Sequence, residues 1–154
     1  MAVALVVSVA LTVLALALGA CGSAGGGSIG AQVQSWVQST ALDAAVRSLE
    51  ADGRRVRAVA ARPDATGLRT VCDVLVTDAL GANQNLPSPD PSLTSILTAA
   101  YRAAAAAGQA CVHGSGTHAR LSARVSDELA AAQAGYVKAQ ARVDLVELPA
   151  GGAS

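Results

Sequence analysis

Seven residues near the carboxyl end limit this chain most: Val125, Leu129, Ala132, Tyr136, Ala139, Val143 and Val146 recur at alternating spacings of four and three. That period marks the seam of a helix packed along its whole length against other helices. It predicts a helix from Thr117, or just before it, to about Leu148. Pro149 and the Gly-Gly after it end the helix. A seam of this length has to be covered, so the rest of the chain must supply helices with matching faces.

Three further stretches do so. Leu42, Val46, Leu49, Gly53, Val56 and Ala60 keep the same alternation, and Val33, Trp36 and Val37 extend it toward the amino end. The spacing predicts one helix over residues 31–61, ended by Pro63 and the loop Asp64-Ala65-Thr66-Gly67. Gly53 costs about 1 kcal/mol inside a helix. It either permits a close helix contact or breaks the helix. Leu68, Val71, Cys72, Leu75, Ala79 and Ala82 predict a second helix over residues 68–83, with Thr66 or Asp64 near its cap. The β-branched Val74, Val76 and Thr77 make a strand the alternative there. Residues 83–91 hold three prolines within five positions and cannot continue a helix. Asp90 followed by Pro91 is a good helix start, a capping carboxylate and then proline at the first position. Leu93, Leu97, Ala100, Ala104, Ala107 and Cys111 line the third helix, from Pro91 to about His113. Gly114-Ser115-Gly116 stops it. Four helices on short loops predict an all-α, antiparallel up-and-down bundle over residues 31–148, with a flexible tail at 149–154.

Composition points the same way. Alanine, the best helix former, makes up about a quarter of the chain, and there is no Phe, one Trp and two Tyr. Every charged residue lies beyond position 21, and the formal net charge is zero. Nucleic-acid binding calls for a dominant basic footprint, which is missing.

Residues 2–18 form an apolar run that closes on Leu18-Gly19-Ala20-Cys21, and Gly22 to Gly30 then reads GSAGGGSIG. An apolar run, small residues and a cysteine resemble the lipobox of a bacterial lipoprotein precursor; the likeness covers those four residues and the run, and the Ala/Gly/Arg/Val/Asp bias with little Lys is similar to that of actinobacterial lipoproteins. The resemblance implies a signal peptide over residues 1–20, cleavage between Ala20 and Cys21, and acylation of Cys21 with a membrane-anchoring lipid such as palmitate. It implies an address on the extracytoplasmic face of the cell membrane, and no activity. Residues 21–30 become a tether whose nine Gly/Ser-rich residues after Cys21 reach roughly 15–18 Å. Met1 to Leu5 carry no Lys or Arg, a departure from the usual positive start of a signal. Residues 2–20 also suffice for about 28 Å of helix, so a retained membrane span is the alternative.

With Cys21 lipidated, Cys72 and Cys111 remain as an even pair in an exported protein, which implies a disulfide. Antiparallel neighbours would place the start of the second helix beside the end of the third, where these two residues sit. Two free buried thiols are the alternative.

The chemistry-bearing residues are few. His113 and His118 flank a short turn and are the only histidines. They are weak metal candidates that need a third ligand, Asp73 or Cys111. Ser115 lies between them and reads better as a turn or capping residue than as a nucleophile. Glu-x-x-His does not occur, and Gly-x-Ser-x-Gly occurs in residues 21–154 only as Gly26 to Gly30 of the tether, not as a nucleophile elbow. Arg54, Arg55, Arg57, Arg62 and Arg69 form a basic cluster, read either as a solvated face or as a surface for anionic headgroups or cell-wall polymer. The expectation is a lipid-anchored cell-envelope protein without catalytic activity or cofactor, binding an envelope protein or cell-wall polymer or acting as a structural accessory. The alternatives are a helical-bundle carrier of a small ligand, lipid or metal, and then a secreted enzyme.

Overall fold

A computed structural model describes residues 27–114 and 121–147. Five α-helices pack against one another: α1 (Ile29–Thr40), α2 (Leu42–Ala60), α3 (Ala65–Asn83), α4 (Pro91–Gly114) and α5 (Ala123–Glu147). No strand occurs among the described residues, so the segment around Val74 and Val76 is helical. Lipobox, cleavage site and most of the tether lie outside the described residues, as do Ser115, His118 and the carboxyl tail.

The faces expected from periodicity are the faces that are buried. Leu93, Leu97, Ala100, Ala104, Ala107 and Cys111 of α4 are all in the core, as are Val125, Leu129, Ala132, Tyr136, Ala139 and Val143 of α5. Val146, last in the α5 series, is half-buried. The caps follow the chemistry of the residues before each helix. Asp64 accepts the Gly67 N–H at 2.8 Å, Asp90 accepts the Leu93 N–H at 2.6 Å, and Ser122 accepts the Val125 N–H at 3.3 Å. Capping of this kind contributes about 1 kcal/mol per helix. It also sets the start of α5 at Ala123 rather than near Thr117.

The first helical stretch differs from the expected single helix. It divides at Ala41, which has φ 49° and ψ 43°, the left-handed conformation, and is at once the last cap of α1 and the first of α2. The reason is one of phase. Val33 and Leu42 are nine residues apart. At 3.6 residues per turn they sit on opposite sides of a straight helix. One rod could not bury both; two helices meeting at an angle can, and both side chains are at most 5% exposed. Ser39 and Thr40 assist by donating their hydroxyls to the Trp36 carbonyl at 3.0 and 2.8 Å.

Adjacent helices are brought close at glycine. A Cβ on Gly108 of α4 would lie 2.9 Å from the Cys72 carbonyl oxygen of α3, and one on Gly135 of α5 would lie 2.6 Å from Ala100 Cβ of α4. Contacts between α1–α2 and α5 descend α5 as the chain ascends: Gly30 meets Val146, Glu50 meets Gln133 and Gly53 meets Leu129. The proline-rich connection is tied down as well. Asn85 accepts the Trp36 indole N–H at 3.2 Å, and Thr94 Oγ1 accepts the Ser88 N–H at 2.9 Å.

Candidate functional site

Of the residues singled out in the sequence, the structure joins one pair. Cys72 and Cys111 form a disulfide, with Cα atoms 6.0 Å apart and both residues buried. The bridge closes a separation of 39 residues between the start of α3 and the end of α4, away from the connection at residues 84–90. It also removes Cys111 as a third ligand for a histidine metal site, because a bridged sulfur is not a thiolate. His113 is exposed in the last turn of α4. Among the described residues no group of three or more His, Cys, Asp or Glu is placed to hold a metal ion. No described helix is long and apolar enough to cross a membrane. Arg54, Arg55, Arg57, Arg62 and Arg69 are all exposed around the turn from α2 to α3. Arg55 is engaged with Asp52 at 3.2 Å.

The more informative site was not singled out in the sequence. It lies where α2 faces α5, and it has two layers. The outer layer is a groove of about 570 Å³. Leu42 and Val46 of α2 and Tyr136 and Ala139 of α5 form its apolar walls, and Asp43, Arg47, Glu50 and Asp144 supply its charge. Its size falls within the range of small-molecule pockets, roughly 300–1,000 Å³. One side-chain hydrogen bond crosses between the helices at its end, from Gln133 Nε2 to Glu50 Oε1 at 2.8 Å.

The inner layer is polar and buried. Asp52 of α2 is 4% exposed; its Oδ1 takes the Arg55 guanidinium, and its Oδ2 has no hydrogen-bond partner among the described residues. Burial raises the Asp52 pKa above 3.8, the neighbouring Asp78 carboxyl raises it further, and Arg55 opposes both. Tyr136 is also 4% exposed, and its hydroxyl has no partner among the described residues. Burial pushes that phenol upward first, and Tyr101, Glu50 and Asp52 add to the shift. Burial pushes Tyr101 to about 12. The two tyrosine rings meet at 6.2 Å with a 48° tilt. A buried hydroxyl without a partner costs about 1–3 kcal/mol, and a carboxylate costs more. Such groups stand out in a core built mainly of alanine, valine and leucine.

A second acid shows the opposite state. Asp90, the cap of α4, is clasped by Arg142 of α5, Nη2 to Oδ2 at 2.6 Å and Nε to Oδ1 at 3.1 Å. The Arg142 hydrogen bonds hold its carboxyl below the usual range, with help from the Leu93 N–H and against the effect of burial. Asp90 was legible as a cap, and nothing in the sequence marked Arg142, which is 52 residues away, as its partner. For Asp52 and Tyr136 the available signal was Asp52 itself, an acid one position from the apolar Gly53 of the seam.

No family model, curated protein or solved structure matches the chain.

Proposed function

We propose that this chain is a lipid-anchored cell-envelope protein that displays a small helical module on the extracytoplasmic face of the membrane and acts there by binding rather than by catalysis. One observation carries the reading. The Cys72–Cys111 bridge accounts for two of the three cysteines and leaves Cys21, which closes an apolar run and opens a Gly/Ser tether. A structural disulfide belongs to an oxidising compartment, and an unbridged cysteine in that setting calls for its own chemistry. Acylation at the lipobox supplies it. At least two acyl chains are needed for stable anchoring.

The helix contacts support the finer architecture of an antiparallel up-and-down four-helix bundle, in which α1 and α2 together form one broken arm. In that arrangement Gly30, where the tether enters, lies at the end that carries Asp90 and Arg142. The exposed Arg54, Arg57 and Arg62 lie at the other end and point away from the anchor, toward anionic cell-wall polymer or an envelope partner.

Growth of the native host with labelled palmitate tests the anchor. The wild type takes up label, Cys21→Ser takes up none, and the mature amino terminus is Cys21. Equal labelling of both forms removes the anchor from the proposal. The groove between α2 and α5 favours a second reading, the helical carrier of a small ligand.

A further inference from the structure

We infer that the groove between α2 and α5 is a binding site for an organic cation with an apolar body, a primary ammonium on a short hydrocarbon chain. The inference rests on the binding role proposed above and is independent of the lipid anchor. Four observations converge. The walls are apolar, from Leu42, Val46 and Ala139, and the charge around them is three carboxylates, Asp43, Glu50 and Asp144, against the single guanidinium of Arg47. Glu50 stands at the inner end, beside Tyr136, whose buried hydroxyl has no partner among the described residues. Asp52 behind it adds negative potential at the Tyr136 hydroxyl. The groove runs along α5 from Tyr136 to Asp144, eight residues or about 12 Å of helix.

These features assign positions to the parts of the ligand. The hydrocarbon lies between Val46 and Ala139, in contact with apolar wall. The ammonium sits at Glu50 and replaces the Gln133 amide, a neutral donor, with a charged one. Charge-assisted hydrogen bonds are roughly twice as strong as neutral ones. The seated head group also gives the Tyr136 hydroxyl the partner it lacks in the free protein. An anionic amphiphile of the same length meets the same walls and three repelling carboxylates. The site therefore discriminates by charge sign and not by apolar area alone.

The test uses the full chain in nanodiscs of neutral lipid, labelled with ¹³C at the alanine methyls, and titrated with hexylammonium, hexanoate and hexanol against a blank of empty nanodiscs. Hexylammonium should shift Ala139 and Ala141, which line the groove, saturably, and leave Ala107 in the core unmoved. Hexanoate and hexanol should bind at least tenfold more weakly. Glu50→Gln should weaken hexylammonium at least tenfold. Gln133→Ala should leave its affinity unchanged or tighten it, because a competing donor is gone. Tyr136→Phe should weaken binding about threefold while thermal stability holds or rises, a split that a purely structural role does not produce. If Glu50→Gln does not fold, Asp43→Asn, which alters an exposed rim charge, should weaken hexylammonium and spare hexanol. Equal affinity for hexanoate and hexylammonium, an undiminished affinity in the carboxylate variants, or shifts that include Ala107 overturn the proposal. A palmitate-negative protein that still binds hexylammonium separates failure of the anchor from failure of this site.

Discussion

Two glycines in this molecule meet opposite circumstances. Gly108 lies where α4 crosses α3, and a Cβ there would come within 2.6 Å of Val76 Cγ2 and 2.9 Å of the Cys72 carbonyl oxygen. Gly53 lies where α2 faces α5, and a Cβ there would find Leu129 Cδ2 at 3.6 Å, an ordinary contact. The first glycine is required by backbones that nearly touch. The second only lowers helix propensity. The α3–α4 seam is closed by small residues and a covalent bridge. The α2–α5 seam is held by larger side chains and remains open as a groove. Close backbone packing and an open groove thus occupy different sides of one small body.

The largest effect should come from cutting the closed seam. A Cys72→Ala, Cys111→Ala double variant loses a bridge across 39 residues, which the chain-entropy model puts at about 4 kcal/mol. Chemical denaturation measures it. A loss below about 1 kcal/mol would mean that the alanine and glycine contacts alone hold this seam. Next, Gly108→Ala should destabilise by about 2 kcal/mol, because overpacking against backbone exceeds the helix-propensity gain.

Within α2 the signs reverse. Asp52→Asn should stabilise the protein at neutral pH by about 1–2 kcal/mol, since it removes a buried carboxylate with one oxygen unpaired. The pH dependence follows from the raised pKa. Folding favours the protonated acid, so its stabilising contribution is whole below pH 3.8 and is lost as the pH rises through the folded value. The variant's advantage should therefore vanish near and below pH 3.8 and grow above it. A constant advantage across that range would show that charge is not its cause. Asp90 behaves in reverse: its pKa is lowered, so its contribution stands above the ordinary carboxylate range and fades as pH falls through the depressed value. The smallest expected effect is Gly53→Ala, a gain of about 0.5–1 kcal/mol. The same substitution at Gly108 and Gly53 with opposite signs is the sharpest form of the comparison. Equal signs would dissolve it.

How far the sequence revealed this can be followed residue by residue. The Leu93-to-Cys111 and Val125-to-Val143 faces were legible because burial along a helix repeats, and repetition is visible in a string. Asp64, Asp90 and Pro91 were legible because caps act within three or four residues. The break at Ala41 was hidden in plain spelling: Val33 and Leu42 fall half a turn out of phase, so one straight rod cannot bury both. The groove could not be read, since its width depends on how α2 stands off α5, two helices separated by most of the chain. The Asp90–Arg142 clasp was invisible for the same reason.

The joint at Ala41 has a mechanical consequence. If the chain is tied to a surface through residues before Ile29, any tug reaches α1 before anything else. That helix has 12 residues and one fully buried side chain, Val33, and a helix of that length is marginal on its own. Its main grip is on α5 and only slightly on α2. Under load α1 would peel away first and lengthen the leash, while the cross-linked body behind it keeps its shape. Tied in that way, the chain would use the joint as a fuse between the tether and the helical body.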